Sequence, residues 1–253
     1  MKALTKRVVL SILTIAATGI SAWAQSGSPI IVPSRFDVGF NVMMSQPKED
    51  FSRNVGTGWG GGGSLLYHID RAGWLSLRFD GSGIQYGHEK KRAPISQTIG
   101  SRILLDVDTT NYFAVVGVGP EFAVPRGRVR PYVNVGVSHL YFRTTSSLSG
   151  SRSDDEPIFN TTNYKDGTRT WTYGGGTRVL LWNSLFQPTL DLGVRYSRGG
   201  EASYLREGSI TDHPDGSITI SPLRSTVPYV AYVVGFRFQI PYSSRSGCPR
   251  LVC

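Results

Sequence analysis

Apolar and polar residues alternate with a period of two along several short stretches of the chain. The clearest stretches lie at residues 35–44, 74–82, 171–181 and 189–197. Successive side chains of a β-strand point to opposite faces, so each stretch predicts a strand with one apolar and one polar face. Convincing helical periodicity is absent from the sequence, and the pattern therefore predicts an all-β fold.

Four less regular stretches raise the number of predicted strands to eight. They lie at residues 59–69, 103–124, 132–142 and 229–240. The apolar positions change phase inside the second of these stretches. This change predicts a β-bulge near Thr109 to Asn111.

The connections between the predicted strands alternate in length, which is the most specific signal in the sequence. Long polar connections follow the first, third, fifth and seventh strands, and short turns such as residues 70–73 follow the others. Bacterial outer-membrane barrels have an even strand number, short periplasmic turns and longer extracellular loops. The sequence therefore predicts an eight-stranded antiparallel transmembrane β-barrel with long extracellular loops. A small soluble barrel is the alternative, although it has no reason to alternate its loop lengths.

The placement of aromatic residues favours the membrane barrel. Tryptophan and tyrosine are enriched at the two membrane interfaces, where they form girdles. The aromatic residues at predicted strand ends are Trp59, Trp74, Trp171, Trp182, Tyr67, Tyr86, Tyr132, Tyr141, Tyr196 and Tyr229. We interpret them as two such girdles.

The start of the chain has the pattern of an export signal. Lys2, Lys6 and Arg7 precede an apolar run, and Ala22 and Ala24 frame a small-x-small cleavage site. The pattern predicts removal of the segment before Gln25.

The chain therefore divides into three predicted parts. These are a signal peptide over residues 1–24, a barrel over residues 25–242 and a C-terminal tail over residues 243–253. Cleavage removes three of the 27 basic residues and leaves 24 against 18 acidic residues. This mild excess forms no stripe of the kind that binds nucleic acid, so nucleic acid is not an expected partner.

Charged residues inside the predicted strands need an explanation. Arg237 stands between two phenylalanines, and burial of an unpaired guanidinium is strongly unfavourable. If the apolar face contacts lipid, the charged face lines the lumen, which side chains can fill in an eight-stranded barrel. We predict an interior salt-bridge network that occludes the lumen. Its four acids and four bases are Asp37, Arg78, Asp80, Glu121, Arg178, Asp191, Arg195 and Arg237.

These features resemble the small outer-membrane β-barrel family typified by OmpX and the transmembrane domain of OmpA. The resemblance covers the signal peptide and residues from about Arg35 to Ile240, and it rests on strand pattern without a catalytic motif. It implies a polar, largely filled lumen and a role in adhesion, host interaction or envelope integrity. The chain departs from the family at its end, because residues 243–253 follow the aromatic residues that the barrel assembly machinery reads.

The expected function is structural or acts through the extracellular loops, and the protein is not expected to be an enzyme. A narrow pore is the first alternative, and a lipid A-modifying enzyme of related fold is the second. Ser138 and His139 invite comparison with such enzymes, but neighbours in a strand face opposite sides and cannot form a direct pair. No catalytic residue, cofactor or metal site is expected.

The expected partners are outer-membrane lipid, lipopolysaccharide and the barrel assembly machinery, while the sequence does not identify an extracellular ligand. Basic residues at 90–92 are candidates for contact with lipopolysaccharide phosphates. The turn at Asp215 and Gly216 predicts a β-hairpin that projects beyond the membrane, or less favourably a ninth and tenth barrel strand. Cys248 and Cys253 are candidates for a small-loop disulfide.

Overall fold

Eight antiparallel strands close into one barrel, which confirms the predicted fold class. The computed structural model describes residues 34–94, 104–150, 159–206, 208–212 and 218–241. The barrel strands are β1 (Ser34–Pro47), β2 (Gly58–His68), β3 (Leu75–Pro94), β4 (Leu104–Ala123), β5 (Val129–Gly150), β6 (Phe159–Leu180), β7 (Thr189–Gly199) and β12 (Tyr229–Pro241). Each strand pairs with the next barrel strand along the chain, and β12 pairs with β1 to close the ring.

The remaining elements are short and belong to two of the long connections. A single helical turn, α1 (Phe51–Asn54), follows β1. Between β7 and β12 the chain forms β8 (Glu201–Tyr204), β9 (Ile210–Asp212), β10 (Ile218–Ile220) and β11 (Leu223–Thr226). Within the parts of the chain that the structure describes, no helix has the length and hydropathy needed to cross a membrane. The predicted signal peptide and both cysteines lie outside these parts.

Alternate residues of each strand face the outside of the barrel and its lumen. On β4, Val116 is 68% exposed on the outer surface, whereas the neighbouring Val115 is 8% exposed and faces inward. Outward-facing side chains in the lower part of the barrel are predominantly valine, leucine and phenylalanine. This apolar outer band is the surface that lipid hydrocarbon would cover.

Tryptophans mark both edges of the apolar band, as predicted. Trp74 and Trp182 are exposed beside the short turns, and Trp59 and Trp171 are exposed at the opposite edge. The assignment of three tyrosines to the girdles was wrong, because Tyr86, Tyr132 and Tyr229 are buried inside the barrel. A tyrosine near a strand end fits either face, since its ring is apolar and its hydroxyl is polar.

Four barrel strands continue well beyond the membrane, where the sequence predicts loops. β3 and β4 have 20 residues each, and β5 and β6 have 22 each. A membrane crossing needs only about 9–11 residues of a tilted strand. About half of each strand therefore forms an ordered extension, which we call the β3–β6 extension. Both of its faces are largely polar, so the alternation that reveals a strand in lipid is missing from its sequence.

The bulge near the base of this extension lies opposite its predicted position. Gln85 pairs with Tyr112 and Gly87 pairs with Asn111, so Tyr86 is the extra residue on β3. β4 itself alternates regularly between inner and outer positions from Asn111 to Ala123, and the inserted residue belongs to the partner strand. It allows Tyr86 and Phe113 both to face the lumen, where their ring centroids are 6.0 Å apart.

The last long connection forms a two-part hairpin outside the barrel. β9 pairs with β10, and β8 pairs with β11, in two small antiparallel sheets. The predicted hairpin is thereby confirmed, while its predicted turn at Asp215 and Gly216 lies outside the described residues. The alternative of a ninth and tenth barrel strand is wrong. The described part of this hairpin also folds against the barrel mouth, since Tyr204 and Leu205 are almost fully buried.

Candidate functional site in the barrel lumen

A cluster of ion pairs fills the lower lumen, next to the short turns. Glu121 of β4 lies at its centre and is fully buried. Arg78 Nη1 donates to Glu121 Oε2 at 2.7 Å, and Arg178 Nη2 donates to Glu121 Oε1. Asp80 accepts from Arg78 Nε at 2.8 Å and lies 3.1 Å from Arg195 Nη1. Two carboxylates thus bind three guanidinium groups.

Asp191 completes the cluster on the opposite wall. It accepts from Arg237 Nη2 at 3.2 Å and from the hydroxyl of Tyr132 at 2.7 Å. The Arg178 guanidinium lies 4.3 Å from the centre of the Tyr132 ring, a cation–π distance. Arg237 Nη2 also donates to Ser64 Oγ at 3.0 Å. The charge of Arg237 is therefore held inside the barrel.

The structure brings seven of the eight predicted lumen residues into this cluster, which has four guanidinium groups and three carboxylates. Asp37 lies in the lumen but outside the cluster. Its Oδ1 is 3.1 Å from His68 Nε2, and His68 Nδ1 is 2.8 Å from Ser76 Oγ. The alternation of residues along each strand shows which charged side chains face inward, but it cannot show which of them form ion pairs across strands.

The upper lumen is filled by aromatic side chains, which we call the aromatic plug. Its members are Phe51, Tyr86, Phe113, Phe142, Tyr204 and Tyr229. Phe142 is central, with its ring centroid 5.3 Å from that of Tyr204 and 6.0 Å or less from those of Phe51, Tyr86 and Phe113. The prediction of a polar lumen was wrong for this upper part, which is filled by the aromatic plug. Because β4 is apolar on both faces, periodicity alone could not reveal an apolar inner surface there.

The hairpin between β7 and β12 covers the plug and forms a lid over the mouth of the barrel. The Tyr86 hydroxyl donates to the carbonyl oxygen of Leu205 at 2.9 Å. The amide of Ser203 donates to Asp166 Oδ2 at 2.7 Å. Because Tyr86 belongs to β3 and Asp166 to β6, the lid is fastened to distant parts of the barrel wall.

A second fastening point uses two charged residues of the β3–β6 extension. The amide of Gly208 donates to Glu89 Oε2 at 3.1 Å, and Glu89 Oε1 lies 3.0 Å from Lys91 Nζ. Partial burial works to raise the pKa of Glu89, but the hydrogen bonds from Lys91 and Gly208 outweigh burial and lower that pKa. Glu89 is therefore ionised where it holds the lid.

Two cavities lie in the described part of the lumen. A small cavity of about 40 Å³ separates the ion-pair cluster from the aromatic plug, which leaves room for only a few water molecules. A larger cavity of about 520 Å³ opens beside the short turns. The lumen therefore has three levels, namely an open vestibule, the ion-pair cluster and the aromatic plug with its lid.

Ser138 and His139 lie on opposite sides of the barrel wall. Ser138 Oγ is 3.1 Å from Thr172 Oγ1 on the inner side, while His139 is exposed on the outer side beside Arg169. Among the residues that the structure describes, no group of three or more histidine, cysteine, aspartate or glutamate side chains could hold a metal ion.

A protein-family model matches residues 10–216, which is most of the chain. Its description is outer membrane protein beta-barrel domain. The chain belongs to this outer-membrane β-barrel family. The resemblance drawn from the strand pattern is thereby confirmed, and the protein is located in the bacterial outer membrane. By the family arrangement, the short turns face the periplasm and the β3–β6 extension faces outward.

Solved structures of several outer-membrane proteins are similar to this chain. Neisserial surface protein A has 16% identity and a TM-score of 0.45, with 82% of this chain and 98% of that chain covered. Ail, the attachment invasion locus protein of Yersinia pestis, has 15% identity and a TM-score of 0.40, with coverage of 82% and 99%. OprG from Pseudomonas aeruginosa has 13% identity and a TM-score of 0.43, with coverage of 83% and 98%. Among curated proteins, none matches the chain in sequence.

Sequence reasoning missed two residues that shape the lower lumen. The predicted fifth strand begins at residue 132, which leaves Arg130 in the preceding turn, but Arg130 is 6% exposed and donates to Gln187 Oε1 at 2.9 Å. Tyr132 was read as an interface residue, but it contributes a ring and a hydroxyl to the cluster. The spacing of Arg130, Tyr132 and Asn134 along β5 is the signal that would have placed all three on the inner face.

Proposed function

We propose that the protein is a non-conducting outer-membrane barrel that acts structurally and through its ordered extracellular part, in adhesion or envelope integrity. The observation that carries this proposal is the closure of the lumen at two levels. An ion or solute would have to separate the Glu121 ion pairs and then displace the aromatic plug and lid. Separation of buried ion pairs without compensation is costly, so a resting pore is disfavoured.

The β3–β6 extension supports a role outside the cell. Strand pairing continues along it, from Gly87 opposite Asn111 to Pro94 opposite Leu104, and from Thr144 to Leu148 on β5. A surface built on paired strands needs little additional ordering when it binds a partner, which reduces the entropic cost of association. This rigidity favours presentation of a binding surface over a purely space-filling role.

Basic side chains on the outer surface support contact with lipopolysaccharide phosphates. Arg143 pairs in register with Lys165, and His139 pairs with Arg169, just beyond the girdle residue Trp171. All four side chains are exposed. Guanidinium and ammonium groups at this height meet the phosphate level of the outer leaflet, and they bind phosphate oxygens well. Lys90 faces the same environment on β3, whereas Lys91 contacts the lid.

A catalytic role has less support. The serine and histidine that invited comparison with lipid A-modifying enzymes face opposite sides of the wall, so one cannot activate the other. Replacement of His139 by alanine is therefore expected to leave the lipid A mass profile of expressing cells unchanged. An altered profile would revive the enzyme hypothesis.

Single-channel conductance in a planar bilayer tests the proposal. The refolded protein should first show heat-modifiable migration on a gel, which reports a folded barrel. We expect no discrete conductance steps from the folded wild type, whereas an open porin under the same conditions serves as the positive control. Reproducible steps would overturn the proposal and favour a narrow channel, with Arg237 and Glu121 as residues that set ion selectivity.

The contact with lipopolysaccharide has its own test. The double variant Arg143→Glu, Lys165→Glu reverses two exposed charges without touching the lumen. We expect it to co-purify with clearly less lipopolysaccharide than the wild type, as quantified by mass spectrometry. The single variants Arg143→Glu and Arg128→Glu give the matched comparison, because each reverses one charge and Arg128 is exposed at a short turn on the periplasmic side. An equal loss in both variants would contradict a localised contact.

A further inference from the structure

The periplasmic vestibule is unusually rich in arginine. The cavity of about 520 Å³ is bounded by the short turns after β2 and β4 and by the lower face of the ion-pair cluster. Six arginines contribute to its wall, namely Arg35, Arg71, Arg126, Arg130, Arg178 and Arg237. Guanidinium groups stay charged in proteins, so the vestibule is permanently cationic unless nearby acids balance it.

The acids of the vestibule are already engaged. Asp70 accepts hydrogen bonds from the backbone amides of Leu75 at 2.7 Å and Trp74 at 3.1 Å, which closes the β2–β3 turn. The hydrogen bond from Leu75 has the largest effect, and together these hydrogen bonds lower the pKa of Asp70. Asp37 is paired with His68. Arg178 and Arg237 already bind Glu121 and Asp191 of the ion-pair cluster, so the two engaged aspartates stand against four further arginines, Arg35, Arg71, Arg126 and Arg130.

Arg237 is buried with part of its hydrogen-bonding capacity unused. It is 2% exposed, and its Nη2 donates to Asp191 and Ser64. Its Nε and Nη1 have no partner among the residues that the structure describes. Nε of Arg178 also has no hydrogen-bond partner among the described residues, because Asp191 Oδ2 is 3.8 Å away, beyond hydrogen-bond distance. Buried donors of this kind are normally satisfied, and both residues contribute to the cavity wall.

We propose that this vestibule is a binding site for a small oxyanion from the periplasm, a phosphate- or carboxylate-bearing molecule. The planar guanidinium fork binds the oxygen atoms of such groups in pairs. The cavity volume lies within the range of about 300–1,000 Å³ that is typical of small-molecule sites. Arg130 and Arg237 are the primary contacts, and the exposed arginines of the rim attract the anion. This site is separate from the extracellular surface and does not depend on whether the lumen conducts.

Inorganic pyrophosphate is a suitable probe for the full-length, refolded protein in detergent micelles. Isothermal titration calorimetry should show saturable binding with one anion per barrel. We expect Arg130→Gln to weaken binding by about tenfold, the loss of one charge-assisted hydrogen bond. Arg237→Lys keeps a charge opposite Asp191 but removes the planar fork, so it should also weaken binding, and heat-modifiable migration on a gel checks that this variant still forms the barrel.

Arg224→Gln provides the matched control, because it removes the same charge from the exposed hairpin at the other end of the barrel. Its affinity for pyrophosphate should equal that of the wild type. In parallel, the Nε–H resonance of Arg237 should shift on addition of pyrophosphate. Absence of binding at millimolar pyrophosphate would overturn the proposal and indicate that water satisfies these donors. An equal weakening in Arg224→Gln would also overturn it, because binding would then follow net charge alone.

Discussion

The lower and upper halves of the lumen are filled by opposite kinds of chemistry. Below, four guanidinium groups and three carboxylates form a cluster in which the fully buried Glu121 bridges two arginines. Above, six aromatic side chains pack against each other beneath the lid. Both kinds of side chain occupy the lumen of the same barrel. Ion pairs depend on direction and on the presence of every partner, whereas aromatic packing depends mainly on volume and contact area.

Because of this difference, we expect mutations in the lower and upper halves of the lumen to affect stability in different ways. Loss of one member of the lower cluster leaves the remaining members charged and buried. Loss of one aromatic ring above leaves a cavity into which neighbouring side chains can partly relax. The free energy of unfolding should therefore be sensitive to the change of a single atom in the lower half, and to a change of side-chain volume in the upper half.

The strongest test of this comparison is Glu121→Gln, which preserves shape and removes the charge shared by Arg78 and Arg178. We expect the free energy of unfolding to fall by about 3–5 kcal/mol, because the buried Arg178 loses its hydrogen-bonded carboxylate and Arg78 keeps only Asp80 as a partner. Urea unfolding of the refolded protein, followed by tryptophan fluorescence, measures this loss. Glu201→Gln is the control, since its pair with Arg224 is exposed and contributes less than about 1 kcal/mol. A loss for Glu121→Gln as small as that of the control would mean that the cluster is not stabilising.

Phe142→Ala tests the aromatic half. Phe142 contacts four other rings of the plug, so its deletion should lower the free energy of unfolding by about 3 kcal/mol through lost burial and a cavity. The same urea unfolding measures the loss. Phe186→Ala removes an equal side chain from an exposed position in the β6–β7 turn and should change stability far less. If the two variants unfold alike, packing of the plug contributes little to stability.

The smallest effect concerns the lid, whose contact with Glu89 should depend on pH. The pKa of Glu89 is lowered in the folded protein, so this contact is fully present above the ordinary glutamate pKa of about 4.3. It is lost only as the pH falls through the folded-state pKa, below that ordinary value. The NMR shift of the Gly208 amide should therefore stay constant from neutral pH down to about pH 5. In Glu89→Gln this titration should disappear, and a wild-type midpoint above the ordinary value would contradict the assignment.

The sequence predicted the lower half of the lumen much better than the upper half. Arg78 and Asp80 occupy inward positions of β3, whose outward positions are apolar, so period two separates them cleanly. Glu121 stands out as the charged residue in an otherwise apolar stretch of β4. Phe113 and Phe142 are apolar residues in strands that also face lipid with apolar residues. In the residues next to Phe113 and Phe142, no contrast between the faces exists in the sequence. The structure alone shows which ring faces the lumen.

The β3–β6 extension escaped prediction for a related physical reason. Outside the membrane both faces of a strand contact water or polar loops, so a sequence such as residues 87–92 carries no alternation. What orders these residues is pairing with a neighbouring strand that is distant in sequence, as for Lys90 opposite Asp108. Such pairing cannot be read from either segment by itself.

Continuous strands give the molecule a mechanical property. β5 and β6 pair from Val129 opposite Val179 at the periplasmic turn to Leu148 opposite Phe159, with one irregularity at Thr144. Each strand of 22 residues is ~70 Å long when extended. A force that pulls on the outer tip acts along the strands. The hydrogen bonds between β5 and β6 are therefore loaded together and do not open one after another. Force applied outside the cell would pass through an unbroken ladder into the part of the barrel that the membrane holds.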